Sequence, residues 1–375
     1  MMQMMKVQKI YLELLKAAIW GGELTNERVK ELTIEGVNEV IRLAAFQGTG
    51  PLVFDQLLKL KDVETPDALR MQMKQQCMMS MMQQNAMMPL LSQAWKALTE
   101  AGIDPVLLKG FGLAQYYPQP HLRQWGDMDV YVGQKNYHLG CETLRAAFPG
   151  VKHMAEEGDD YKHYNFEFGN AVLEMHRISM AFAHPRDRRY YEKWEEQSLT
   201  KEGPKIEVGD LTITVPEDTF NVFFVFLHAW HHFIETGMNL KQMCDIAVIL
   251  HAKRDVIDKN RLHEALKKLH LMEVWQQIMY ILVKYLGVAK EECPYYTDKL
   301  AKRAELLFER IMQEGSSRRH EEINAEGVSY IKRKWITFQL RLADSRLVKP
   351  YAPKYARHMV VSDLLHGVER IVHGK

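Results

Sequence analysis

Apolar residues recur at intervals of three and four along residues 1–60, with Ile10, Leu14, Ala17 and Ala18 in one stripe and Val37, Val40, Ile41 and Ala44 in another. That period predicts short packed helices, punctuated at Gly21-Gly22 and at Gly48-Thr49-Gly50-Pro51. From Pro66 to Ala101 the pattern is one long helical segment carrying Met71, Met73, Met78, Met79, Met81, Met82, Met87 and Met88, then Leu90, Leu91, Trp95 and Leu98. Methionine fills irregular cores, so this stripe is read as core, with an adaptable partner surface as the other option. Pro89 is expected to kink or divide the helix and Gly102 to end it.

The period then changes. Pro105 to Val132 reads as strand, turn, short helix and strand: an apolar run ends at Lys109-Gly110, and Arg123 leads into Asp127-Met128-Asp129 inside a second apolar run. Residues 134–148 read as a helix. Tyr164 to Phe168 and Ala171 to Ile178 read as a hairpin joined at Gly169-Asn170, and Leu211 to Val215 as one more strand ended by Pro216. Beyond it the helical period returns over 217–236, 239–253, 260–286, 297–314 and 325–346. The expected fold class is α+β (mixed α/β), a small mixed central sheet of four or five strands flanked by helices. Its expected parts are an N-terminal helical region (1–100), an α/β core (101–215) and a C-terminal helical domain (216–375).

Composition narrows the partners. A formal net charge of +1 and 26% charged residues give no global field for nucleic acid or membrane, so any electrostatic site must be local. Cys77, Cys141, Cys244 and Cys293 form no C-x-x-C pair, which fits a reducing cytoplasm. No secretory leader pattern opens the sequence, and the apolar stretch Phe220 to Trp230 is far shorter than the roughly 20 residues of a membrane span. A soluble cytoplasmic protein without a membrane partner is expected.

The chemistry is expected in the strand pair. Successive strand side chains face opposite ways, so Asp127 and Asp129 share a face while Met128 and Val130 share the other. Two adjacent acids need a cation between them, and a divalent metal is the usual one for oxygen ligands. Glu174, in Ala171-Val172-Leu173-Glu174-Met175-His176-Arg177, lies opposite to Leu173 and Met175 and beside His176. On an adjacent strand it would bring a third carboxylate to the patch, enough for two magnesium ions at the roughly 3.5–4 Å spacing of two-metal phosphoryl transfer.

This arrangement resembles the DNA polymerase beta-like nucleotidyltransferase superfamily. More narrowly, LLKGFGLAQYY, LRQWGDMDVYV, VLEMHR and FLHAWHHFIETGMNLKQMCDIAVIL are similar to the bacterial group labelled uncharacterised nucleotidyltransferase, over roughly residues 65–252. The resemblance implies a sheet of the nucleotidyltransferase type. It also implies an enzyme that transfers an NMP from an NTP, ATP among the donors, to an unspecified acceptor with release of pyrophosphate. Carried over, it makes Asp127, Asp129 and Glu174 the catalytic metal ligands for Mg2+, with Mn2+ able to substitute, and Gly110 the close-approach point for the triphosphate. The superfamily's glycine turn usually continues with a serine; here Phe111-Gly112 follows, and Lys109 and Arg123 are the residues expected to make up the phosphate contacts. The missing hydroxyl also keeps a catalytically weak or inactive binding or regulatory module as the alternative.

His176, His228 and Asp245 are read as substrate-positioning residues. His228, His231 and His232 lie within about one turn, and the expected arrangement is a histidine bonded to Asp245 that holds the helical domain against the site. A zinc-like site there, serving a phosphohydrolase, is the weaker reading. Ala325 to Lys375 carries ten Lys or Arg against Glu326, Asp344, Asp363 and Glu369, with Tyr330, Trp335, Phe338, Tyr351 and Tyr355 interleaved. Nucleic acid contact is an option for that segment and is not the expected partner.

Overall fold

The computed structural model describes residues 2–22, 24, 29, 32–61, 63–155, 163–208, 211–316 and 330–372. The chain opens with helices α1 (Met2–Trp20), α2 (Ile34–Phe46) and α3 (Gly50–Lys59), broken at the two expected glycine turns. Thr33 caps α2 by accepting from the Gly36 N–H at 3.2 Å, and Pro51 occupies the first turn of α3, where no N–H is needed. Helix α4 (Asp67–Glu100) follows. Its buried positions are Met73, Ser80, Gln84, Met87, Leu91, Ala94, Trp95 and Leu98, a single stripe at spacings of three, four and seven. The core reading of the methionines is therefore corrected: Met71, Met78, Met79 and Met82 fall off that stripe and are 59–67% exposed. Pro89 does not divide the helix. It sits on the exposed side, where the carbonyl it deprives of a partner can turn to water.

Gly102 ends α4 in a left-handed conformation (φ 77°), and the α/β unit begins. It runs β1 (Val106–Leu107), α5 (Phe111–Ala114), a 3-10 turn at Pro120–Leu122, β2 (Asp127–Tyr131), α6 (Gly133–Ala147), β3 (Lys152–Ala155), β4 (His163–Phe168) and β5 (Ala171–His176). The sheet order is β1-β2-β5-β4-β3, with β2 and β5 parallel and every other pair antiparallel, which bears out the small mixed sheet. β1 is shorter than expected, β5 stops at His176 rather than Ile178, and β3 had no clear pattern in the sequence. After it come α7 (Pro185–Ser198) and the ribbon β6 (Lys205–Val208) and β7 (Leu211–Thr214). Helix α7 and strand β6 were also unexpected, because α7 is so charged; it still buries Asp187, Tyr191, Trp194, Glu195 and Ser198 on one face.

The remaining helices are α8 (Asp218–Glu235), α9 (Leu240–Lys253), α10 (Lys259–Lys268), α11 (Met272–Ile281, running into a π-helical turn at Leu282–Leu286), α12 (Ala301–Glu314), α13 (Tyr330–Val348) and α14 (Pro353–Val372). The helix expected over 260–286 is two, because His270 takes a left-handed conformation (φ 59°) between α10 and α11. Of the basic C-terminal segment, residues 325–329, including Glu326, and 373–375 lie outside the described residues. Tyr351 and Tyr355 turn inward onto Phe233 and Trp230, which removes two of the interleaved aromatics from any nucleic acid surface. Among the described residues no helix is long and apolar enough to cross a membrane.

Two apolar clusters result. One joins α1–α3 to α8–α12, and the other packs the second half of α4 and α6 against the sheet. Buried Gln47 ties the first together: its amide NH2 donates to the Ile311 and Met312 carbonyls (3.1 and 3.2 Å), while its side-chain oxygen accepts from the Leu240 N–H (2.9 Å). The two clusters are joined by a buried ion pair. Arg123, 4% exposed, donates Nε to Asp245 Oδ1 (2.9 Å) and Nη2 to Oδ2 (2.7 Å), and Tyr117 donates its hydroxyl to Oδ1 (2.7 Å). The expectation of a histidine on Asp245 is thus corrected: a planar guanidinium satisfies both carboxylate oxygens at once, which one imidazole nitrogen cannot.

Arg123→Met strands a buried carboxylate and is expected to cost about 3–5 kcal/mol in urea unfolding, most of it recovered in Arg123→Met/Asp245→Leu; a loss below about 1 kcal/mol would contradict the pairing. Glu195, 2% exposed, accepts from the Ser179 N–H at 2.7 Å and from the Ser179 hydroxyl, and burial pushes its pKa up to about 7. A carboxyl that holds its proton more tightly when folded contributes most below the unfolded pKa, and loses that contribution as pH rises through the folded one. Stability should therefore fall by up to about 3 kcal/mol between pH 4.5 and 7 in the wild type relative to Glu195→Gln, measured as unfolding midpoints across that range.

Candidate functional site

The parallel register sets Asp129 directly beside Glu174, and Asp127 beside Val172. Met128, Val130, Leu173 and Met175 are at most 1% exposed on the opposite face, so core packing fixes which way the acids point. One oxygen from each of Asp127, Asp129 and Glu174 lies within 4.8 Å of the other two. Lys109 closes the group, its Nζ 3.2 Å from Asp127 Oδ2 and 3.1 Å from Asp129 Oδ1. His176 Nε2 stands 2.9 Å from Asp129 Oδ1 and 3.4 Å from Glu174 Oε2. Asp129 is fully buried, and its Oδ2 has no hydrogen-bond partner among the described residues.

These charges shape one another. Burial pushes Asp129 up to about 6, with Lys109 pulling the other way. Burial would also discharge Lys109, but Asp129, Asp127 and Glu174 outweigh it and hold the ammonium charged. Burial likewise opposes the charge on His176, which bonds to Asp129 and Glu174 nevertheless raise to about 9. Asp127 and Glu174 are held low despite burial, chiefly by Lys109 and His176 respectively. Three negative groups thus face two positive ones, leaving the patch anionic near neutral pH.

Gly110 makes the turn before α5. Its φ of 62° and ψ of −114° suit glycine, and a Cβ there would stand 3.1 Å from the Asp127 carbonyl oxygen. Arg123 Nη1 donates to the Gly110 carbonyl at 3.3 Å, so the Asp245 pair also braces this turn. Phe111 fills the place after the glycine and packs edge-on against Trp125 at 6.1 Å between centroids.

Beside the acids opens a cavity of about 460 Å³, whose walls include Lys109, Gly110, Arg123, Asp127, His228, His232 and Lys241. Burial, reinforced by Lys109, holds His228 well below its ordinary value and lowers His232 to about 4, so both present neutral rings. His231 turns to Glu235 at 2.8 Å instead. Among the described residues Lys241 forms no ion pair. Burial and Arg123 lower its pKa, opposed by Asp245 and Asp127. A larger groove, about 740 Å³ and lined by Met79, Met82, Met87 and Phe168, carries no acid or base among the described residues.

Asp127, Asp129, Glu174, Lys109, Gly110 and His176 therefore come together, Arg123, Asp245 and His228 border the adjoining cavity, and Arg123 and Asp245 are occupied with each other. Lys241 was not foreseen, although it precedes Asp245 by one helical turn and so shares its face. The donor set fits a divalent ion of the magnesium class: three carboxylates on rigid strands, one buried oxygen still without a partner. His163, Glu174 and His176 also bring ligand atoms within 4.8 Å of one another, so nitrogen donors adjoin the carboxylates. Neither His228, His231, His232 nor Asp245 belongs to any such group among the described residues.

The model of the family described as uncharacterised nucleotidyltransferase matches residues 35–287, about two thirds of the chain, from α2 through the π turn after α11. No curated protein and no solved structure matches. The match takes in the acid-bearing strands, the glycine turn and the α8–α9 wall together, and on it the chain belongs to this nucleotidyltransferase family.

Proposed function

We propose that this protein transfers an NMP from an NTP to an acceptor on the β2–β5 face, with Asp127, Asp129 and Glu174 holding Mg2+. The observation that carries the reading is the convergence of three carboxylates, one with an unpartnered buried oxygen, beside a cavity rich in basic side chains. The strand, glycine turn, D-x-D strand and apolar-flanked third acid support placement in the polymerase beta-like superfamily. Bound at these acids, two Mg2+ ions, or Mn2+ in their place, would lower the pKa of the attacking hydroxyl and neutralise the triphosphate.

This chain's own residues do the positioning. His176 holds Asp129 Oδ1 so that Oδ2 keeps its direction. The triphosphate lies in the 460 Å³ cavity, where Lys241 and Lys109 meet it as point charges. With a divalent ion held by the carboxylates, Lys109 would be free to turn from Asp127 and Asp129 to a phosphate. Arg123, committed to Asp245, keeps the Gly110 turn in place rather than gripping phosphate itself. His228 and His232, held neutral, offer hydrogen bonds without adding charge. The acceptor oxygen attacks the α-phosphorus, the bond to the bridging oxygen breaks, and pyrophosphate leaves. Positioning and charge neutralisation supply the rate.

Calorimetric titration with ATP, GTP, CTP and UTP, each with and without magnesium, tests the reading. At least one nucleotide should bind only with magnesium, and Asp129→Asn should abolish that binding while circular dichroism stays native. Lys241→Met should weaken it by about tenfold or more, the loss of one charge-assisted phosphate contact, and Lys241→Arg should recover part. If the intact protein binds none of the four, the donor-site assignment fails and the binding-module reading replaces it.

A further inference from the structure

A second group of ligating side chains lies away from the acids. His184 caps the N-terminus of α7, Asp187 sits in that helix's first turn, and His358 projects from α14. His358 Nε2 is 2.5 Å from Asp187 Oδ2, and His184 Nδ1 is 3.6 Å from Asp187 Oδ1. The ligand atoms of all three lie within 4.8 Å of one another. A third imidazole joins them: the ring of His270 lies 4.0 Å from that of His358, and His184 lies 4.9 Å from it on centroids. His270 reaches this place from a left-handed backbone (φ 59°), a conformation most residues other than glycine avoid.

A simple ion pair does not account for this crowd. Asp187 needs one histidine and has it in His358, whose Nε2 hydrogen-bonds to Oδ2; His184 Nδ1, which accepts the Arg186 N–H, turns its lone pair toward Oδ1 at 3.6 Å, and His270 packs on the His358 ring. A cation between them turns that lone-pair contact into a pair of ligands. Ligands about 2.0–2.2 Å from a tetrahedral ion stand roughly 3.4 Å apart, near the 3.6 Å between His184 Nδ1 and Asp187 Oδ1, and the 2.5 Å hydrogen bond from His358 to Asp187 opens to admit the ion. Two imidazoles and a carboxylate select ions of the zinc type over magnesium or calcium, which prefer oxygen alone. The Arg186 N–H that reaches His184 Nδ1 at 3.2 Å is exposed and can turn to water, and Arg188 is drawn off to the Phe182 carbonyl.

We infer that His184, Asp187 and His358 bind a zinc-type divalent ion, with water in the fourth position, and that this ion staples α14 to α7. The two ligand-bearing segments lie 171 residues apart in sequence, so the ion acts as a cross-link that draws the last helix onto the helix following β5. It is a structural site, separate from the acids on the sheet.

The test uses the full-length protein stripped with a chelator and titrated with Zn2+, and with Co2+ as a spectroscopic substitute. The wild type should take up one Zn2+ tightly, give a four-coordinate Co2+ d–d spectrum and show protection of α14 from proteolysis. The active-site variant Asp129→Asn/Glu174→Gln should keep all three. His184→Gln/His358→Gln should weaken Zn2+ by at least about tenfold and lose the spectrum. His184→Gln alone, at a partly buried helix cap whose glutamine oxygen can still accept from the Arg186 N–H, gives the same comparison should the double variant fail to fold. Two results overturn the inference: no tight Zn2+ on the wild type, or uptake that survives in the histidine variants and vanishes in the active-site variant.

Discussion

Three carboxylates facing one another across two parallel strands are the constraint around which this molecule is built. The register that pairs Asp129 with Glu174 is the same register that buries Met128, Val130, Leu173 and Met175, so the core cannot form without crowding the acids. Their repulsion must then be met locally. Lys109 and His176 meet part of it, and each can do so only because of where the chain turns. Lys109 reaches the acids from the end of the β1 segment because Gly110 bends the backbone at once toward α5. His176 is the last residue of β5, on the same face as Glu174. The electrostatics of the site are thus a consequence of strand ends and one glycine turn.

The helical part is coupled to this patch through few but well-satisfied contacts. Arg123 and Asp245 join the turn before β2 to α9, and Arg123 also braces Gly110. Gln47 joins α2 to the start of α9 and the end of α12. Together they fix α9, and with it Lys241, against the acid-bearing strands. The family match likewise runs from α2 past the sheet to the π turn: the helices on either side of the α/β unit share one apolar cluster, and α8 and α9 wall the cavity.

What the sequence made legible was whatever short-range pattern encodes. The D-x-D strand, the Gly169-Asn170 hairpin, the position of Gly110 and the polar placement of Glu174 depend on alternation and turn chemistry, and they stand. The errors arise where tertiary context decides. The methionines of α4 have core chemistry, but one helix buries only one stripe, and most of them lie off it. Helix α7 was hidden by its charges, and β3 and β6 by their shortness. Asp245 was expected to pair with a nearby histidine, but its partner Arg123 lies 122 residues away in the sequence. The cluster of His184, Asp187, His270 and His358 was invisible for the same reason, since local spacing links only His184 and Asp187.

The departure at position 111 now has a physical setting. Phe111 packs on Trp125 beneath the glycine turn, where a serine would have offered a hydroxyl, so that side of the turn is apolar. A nucleotide held here must draw its phosphate contacts from elsewhere, and the opposite wall carries Lys241, a cation with no ion pair among the described residues whose pKa burial has already lowered. An ammonium that is incompletely compensated gains more from an incoming polyanion than one already paired, because no existing bond must be broken. Lys109 is the contrasting case, bonded to two carboxylates and able to turn to phosphate only as another cation replaces it. In the proposed reading grip has therefore moved from the glycine turn to the helical wall, and nucleotide and metal binding become coupled through Lys109, each favouring the other.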